Sequence, residues 1–236
     1  MRRIESGSEC SNFTNITARS SSRKLAAAAF RFTVILAVSS ALLLIGTRPA
    51  QAQTYSVVYS FTGTPDGASP YAGLALDKEG NLYGTTWVGG IDNRGTVYKI
   101  PTSGGETVLY SFKGISGVSA GDGANPRAGV TLDTQGNLYG TTWSGGNSKN
   151  DGTVFKLDAA GNETLLFLFN GAQNDGADPS GVVLDSEGNL YGTTLTGGAN
   201  NGNKDGTVFK LDQSGDETIL HTFPRVVRTA PFLAVV

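Results

Sequence analysis

Beyond residue 53 the hydrophobic positions come in short bursts, and no stretch keeps the i, i+3, i+4 spacing of an amphipathic helix. Four bursts stand out in one central stretch: GVTLD (129–133), NLYGTT (137–142), GTVFKLD (152–158) and ETLLFLF (163–169). Each is rich in β-branched and aromatic residues and bounded by Gly, Asn or Asp, which predicts four strands. Two of the breaks, LDTQGN and LDAAGN, have the form Asp-x-x-Gly. Aspartate accepts hydrogen bonds from amides ahead of it and glycine supplies positive φ, so each predicts a tight antiparallel hairpin. The other breaks, TTWSGGNSKNDGTV and FNGAQNDGADPSGV, are long and rich in Gly, Asn and Asp. In an up-and-down sheet the first and third connections leave at one edge and the second and fourth at the other. The tight turns therefore share one rim, and the long variable loops share the opposite rim.

The pattern is written three times. The glycine of GNLYGTT falls at 80, 136 and 188, DGA begins at 66, 122 and 175, and GTV begins at 95, 152 and 206, a period of 52 to 57 residues. A unit of this length cannot bury both of its faces and must stack on its neighbours. Adjacent Leu138 and Tyr139 point to opposite sides of the second strand, so that strand is covered on both. Gly140 beside them admits a close backbone or a bulky ring. The expected fold is all-β, a β-propeller-like array of three four-stranded blades at about 72–112, 128–169 and 181–223. SVVYSF (56–61) reads as a leading strand, the fourth of a blade whose other strands are absent, so the ring is expected to be incomplete. A β-trefoil is the alternative, because three four-stranded units describe it too. The repeat length and the surplus leading strand speak against it.

After Phe223 the tail PRVVRTAPFLAVV (224–236) matches nothing in the repeat. Back-translated in a shifted frame it permits Gly-Gly-x-Asp-Gly-Ala-x-Pro-Ser-Gly, close to DGADPSGV at 175–182, so a frameshift is expected there. Exposed blade edges would then favour self-association.

Composition changes the picture mainly at the front. Seven of the 18 basic residues precede Ala52, and the apolar run FTVILAVSSALLLIG (32–46) is followed by Ala50-Gln51-Ala52. This is the layout of a signal peptide over residues 1–52, with a core short of the ~20 residues a spanning helix needs. The mature chain is expected to start near Gln53, secreted or at the cell surface, with no stable membrane span after cleavage. It keeps 11 basic and 18 acidic residues, a net charge of −7, which argues against nucleic acid as a partner. Cys10 leaves with the signal, so neither disulfides nor a lipid anchor is expected.

LYSF…DGANPRAGVTLDTQGNLYGTTWSGG…DGTVFKLDAAGNETLLFLF resembles the GloVer tandem-repeat family of secreted bacterial proteins, over roughly residues 56–223. The resemblance implies an exported β-strand repeat protein, often held at the bacterial cell surface, and brings no catalytic residues with it. The LDxxGNLYG turn is also similar to that of NHL and gluconolactonase-like propellers, a likeness that turn chemistry alone would produce.

Candidate chemistry is sparse. His221 is the only histidine and takes the slot of Tyr110 and Phe167, which reads as a packing substitute. With no second His and no mature Cys, histidine triads, cysteine nucleophiles and His-rich zinc sites are excluded. Asp66, Asp122 and Asp175 sit in DGA loops on the long-loop face, where they read as turn formers or as carboxylates lining a ring or holding calcium; no other cofactor is expected. Trp87 and Trp143, with Leu195 in the third copy, lie where the second strand enters its long loop; they read as seam packing or as platforms for sugar rings. Lys99, Lys156 and Lys210 recur with Glu106, Glu163 and Glu217 and read as solvent-edge ion pairs across a hairpin.

The resulting expectation is a secreted, non-enzymatic repeat scaffold or binding module whose long-loop face takes a glycan or a protein. The alternatives are a propeller enzyme, a lyase or hydrolase using carboxylates of that face, and a surface structural protein without a specific ligand. An enzyme would place an unrepeated acid or base at the ring centre, whereas these groups recur copy after copy.

Overall fold

The computed structural model describes residues 54–114, 121–172, 175–198 and 206–224. The chain divides into two units, Met1–Ser56 and Val57–Val236. The signal segment 1–52 and the tail from 225 onward, with the reading of each, lie outside the described residues.

The second unit carries twelve strands: β1 (Ala75–Leu76), β2 (Leu82–Thr86), β3 (Thr96–Ile100), β4 (Thr107–Ser111), β5 (Thr131–Leu132), β6 (Leu138–Thr142), β7 (Thr153–Leu157), β8 (Glu163–Leu168), β9 (Gly176–Leu184), β10 (Leu190–Gly197), β11 (Thr207–Leu211) and β12 (Glu217–Thr222). They form three antiparallel sheets, ordered β1-β2-β3-β4, β5-β6-β7-β8 and β9-β10-β11-β12, and the described residues include no helix. Each sheet is a blade made of one repeat. A trefoil would need strands of different repeats in a common barrel, and every ladder here stays inside its own repeat.

The seams between blades hold the core. Val97 and Phe112 of the first blade pack on Val130, Leu138, Phe155 and Leu157 of the second. Val154 and Phe169 of the second pack in the same way on Val182, Leu190, Phe209 and Leu211 of the third. Aromatic rings meet edge to face at each seam, Phe112 on Phe155 at 5.1 Å and Phe169 on Phe209 at 5.2 Å. A register shift follows Val97, Val154 and Val208, and it leaves Leu109, Leu166 and Leu220 as extra residues in β4, β8 and β12. Such a bulge lets neighbours that should alternate serve one face. Leu109 and Tyr110 both join the first seam, and Leu166 and Phe167 both join the second.

Two glycine series explain the repeated motifs. A Cβ on Gly140 would lie 2.6 Å from Cζ of Phe155, so the glycine of LYG makes room for the seam ring of β7. A Cβ on Gly123 would lie 2.3 Å from the Thr142 hydroxyl, which hydrogen-bonds the Thr153 hydroxyl at 2.7 Å inside the blade.

The leading segment differs from expectation. Residues 57–61 hold the place of a fourth strand but form no ladder. Phe61 lies on the ring of Tyr98 at 4.8 Å and Tyr59 on Phe61 at 5.1 Å. The segment thus lies on the face of the first blade through its rings, and ladder hydrogen bonds need the edge of a strand.

Candidate functional site

The long-loop rim contains the residues singled out from sequence. Trp87 follows β2 and Trp143 follows β6, and the two indoles meet across the blade boundary at 6.3 Å with planes 61° apart. The guanidinium of Arg127, an exposed side chain, lies 4.7 Å from the Trp143 ring. Asn125 ties the pair together: its side-chain amide donates to the Trp87 carbonyl at 2.9 Å, and its side-chain carbonyl accepts from the Ser144 hydroxyl at 2.9 Å. Both tryptophans are half-buried, whereas Leu195 in the third copy is exposed and meets no second indole.

Asp66, Asp122 and Asp175 are not brought together; each reaches back to the fourth-strand segment before it. Asp66 accepts from the Tyr59 hydroxyl at 2.7 Å and from the Thr62 amide and hydroxyl. Burial alone would raise this carboxyl, and those hydrogen bonds outweigh it, so it sits below its ordinary value. The Tyr59 hydroxyl is correspondingly pushed up to about 12, first by its bond to Asp66 and then by burial. Asp122 repeats the arrangement, accepting from the Tyr110 hydroxyl at 2.6 Å and from the amides of Lys113 and Gly114.

Asp175 breaks the series because the corresponding residue is Phe167, which has no hydroxyl. It accepts from the Asn170 amide at 2.8 Å on Oδ2, and its buried Oδ1 has no partner. Burial then dominates and holds the carboxyl above its ordinary value.

Sequence reasoning placed Glu106, Glu163 and Glu217 at the solvent edge, and the structure corrects this. Each has a buried Oε1 without a partner. In the ladders Glu163 stands opposite Leu157 and Glu217 opposite Leu211, the core-facing positions, while Lys156 and Lys210 stand opposite Thr164 and Thr218. Glutamate and lysine therefore point to opposite faces. The lysines lie over tyrosines of the second strand instead, Lys99 on Tyr83 at 5.3 Å and Lys156 on Tyr139 at 5.6 Å. Burial, followed by the charge of Asp122, pushes Glu163 up to about 7. Burial and Asp175 push Glu217 up to about 8.

The tight-turn rim holds a feature the sequence reading missed, a cavity of about 1170 Å³ where the first turns of all three blades converge. Asp77, Asp133, Asp185, Tyr83, Tyr139 and Lys99 are among its lining residues. Each aspartate closes its own turn: Asp133 accepts from the Asn137 amide at 2.9 Å, the Asn137 side chain at 2.7 Å and the Tyr139 hydroxyl at 3.3 Å. Burial works upward on Asp133 and these bonds outweigh it, so it stays below the ordinary carboxylate value. The sequence signal was the Asp–Tyr spacing of LDxxGNLY, but convergence of three copies on one axis is visible only in three dimensions. Among the described residues, no three His, Cys, Asp or Glu side chains gather to hold a metal ion.

Three four-stranded sheets packed flank to flank define a β-repeat protein of propeller-like build. The profile of the Gloeobacter/Verrucomicrobia repeat matches residues 46–235, and the chain belongs to that family. No curated protein matches. Among solved structures, the chain is similar to an X-ray structure provisionally described as a gluconolactonase, at 16% identity and a TM-score of 0.39. That alignment covers 62% of this chain and 47% of the other, so the chain spans less than half of that structure's length.

Proposed function

We propose that the chain is an exported, non-enzymatic repeat scaffold that binds an extracellular glycan or protein on its long-loop rim. One observation carries this reading: the half-buried Trp87 and Trp143 meet at 6.3 Å next to the exposed Arg127. Indoles held in place across a seam present apolar faces with a polar edge, which suits a sugar ring or an aromatic side chain, and the arginine adds donors for acidic groups. Export is supported by the apolar run 32–46 ahead of Ala50-Gln51-Ala52. The non-enzymatic part is supported by the recurrence of the carboxylates from repeat to repeat, with Asp122 engaged in its seam and Asp133 in its turn.

A second reading puts a small ligand in the tight-turn cavity, where Tyr83, Tyr139 and Lys99 lie among turn residues of all three blades. A glycan array and an extracellular-protein array, each probed with wild type, a Trp87→Ala/Trp143→Ala variant and a Tyr139→Ala variant, separate the two. Loss of binding with the tryptophan variant alone supports the rim, and loss with Tyr139→Ala alone moves the site to the cavity. Binding unchanged in both variants contradicts both sites, and wild type that binds nothing leaves a surface structural protein. N-terminal sequencing of the exported chain tests the cleavage, with Gln53 the expected first residue.

A further inference from the structure

The two ends of the blade array carry complementary halves of a seam that the molecule already builds twice. On the first two blades the face turned toward the next blade is covered: Thr85 is 2% exposed, Thr141 1%, and Val97 and Val154 are fully buried. The third blade presents the same residues in the same places with no described blade over them. Thr193 is exposed, Val183 is 63% exposed and Leu220 51%. A groove of about 490 Å³ runs over this face, lined by Gly181, Val183, Tyr191, Gly192, Thr193 and Val208. In the covered seams this place takes the first strand of the following blade. There Thr85 donates to the Ala128 carbonyl at 2.9 Å and Thr131 to the Val182 carbonyl at 2.6 Å.

The opposite face of the first blade carries the other half. Leu74 and Leu76 are 53% and 64% exposed, whereas Val130 and Val182, in the place of Leu74, are 7% and 8% exposed. Only the outer part of this face is covered, by Tyr59 and Phe61 of the leading segment, which is held without a ladder.

We propose that a second copy of this chain occupies these faces, the third blade of each copy stacking on the first blade of the other. β12 then displaces residues 57–61 from the fourth-strand place and breaks the Tyr59–Asp66 bond, with His221 and Phe223, which pack edge to face at 4.8 Å, entering the positions of Tyr59 and Phe61. The occupant is another copy because the two faces are already mutually complementary, as the seams inside the molecule demonstrate. The contact is heterologous, so it either closes or grows. Two copies of the three described blades make six, within the range of about four to eight over which propellers close, so a closed dimer is the product.

Sedimentation of the full chain, with and without its leader, tests this, using Val183→Asp to spoil the third-blade face and Leu74→Asp to spoil the first. Both positions are more than half exposed in the single chain, and a thermal melt of each variant checks that it folds. Wild type should sediment at twice the chain mass and each variant alone at a lower average mass. An equimolar mixture of the two should form a mixed dimer through its one intact seam. A monomeric wild type would overturn the proposal, as would a variant that dimerises as well as wild type or a mixture that behaves as the sum of its parts.

Discussion

The two seams are built from the same apolar parts and differ in a few hydroxyls, of which one meets a buried acid. Between the first and second blades Tyr110 donates to Asp122 at 2.6 Å; between the second and third Phe167 stands in its place and Asp175 keeps a buried oxygen without a donor. Rings, leucines and valines match pair by pair on both sides of this difference. Seam geometry is therefore set by apolar packing, which survives loss of the hydrogen bond. Where that hydrogen bond is missing, burial holds the Asp175 carboxyl above its ordinary value.

The largest effects should be equal in the two seams. Phe155→Ala and Phe209→Ala each remove a fully buried ring and should cost about 3–5 kcal/mol in urea titration. A gap of more than about 1.5 kcal/mol between them would break the equivalence, because matched cavities should differ by less than that spread. Next comes Tyr110→Phe, which imposes on the first seam the deficiency of the second. Losing a bond to a charged acceptor should cost about 1.5–3 kcal/mol.

pH acts on the two seams with the same sign. Glu163 and Glu217 are held at about 7 and 8 in the fold, above the ordinary 4.5, so the unfolded chain releases these protons first. Their contribution is full below pH 4.5 and is lost as pH rises through 7 to 8. Melting temperature should therefore fall between pH 5 and pH 8, with Glu163→Gln and Glu217→Gln each flattening the fall. A fall that neither substitution flattens would contradict the burial of these two carboxyls. In the opposite direction, the depressed carboxyls of Asp66, Asp77, Asp133, Asp158 and Asp185 contribute stability that is lost as pH drops below 3.8. The smallest effect is Lys156→Ala, which removes a cation held over Tyr139 at 5.6 Å and should cost about 0.5–1 kcal/mol by thermal melt.

The sequence made the strands legible because period-two alternation and Asp-x-x-Gly turns are local properties. NLYGTT, GTVFKLD and ETLLFLF were read within a residue or so of β6, β7 and β8. GVTLD was read long: ladder pairing in β5 is confined to Thr131 and Leu132, and the rest of the segment runs on without partners. The glutamates were misplaced because hairpin register pairs Glu163 with Leu157 and not with Lys156, and neither that register nor the choice of which strand face meets the next blade can be seen in a string. The three aspartates were read as turn formers or as carboxylates lining a ring or holding calcium, and two of them hold a tyrosine hydroxyl of the preceding fourth-strand segment. That role depends on a residue 7 or 12 positions earlier, and only the fold brings the two together. The pairing of Trp87 with Trp143 likewise crosses a blade boundary.

The substitution Phe167→Tyr addresses the central claim most directly, because it should give the second seam the bond that the first already has. Urea titration of the variant, together with NMR titration of the Asp175 carboxyl, should show stability raised by about 1 kcal/mol and the carboxyl moved down toward the range of Asp66. Stability unchanged or reduced, with the Asp175 carboxyl still above its ordinary value, would contradict the account that the two seams share one apolar structure and that the missing tyrosine hydroxyl leaves Asp175 raised.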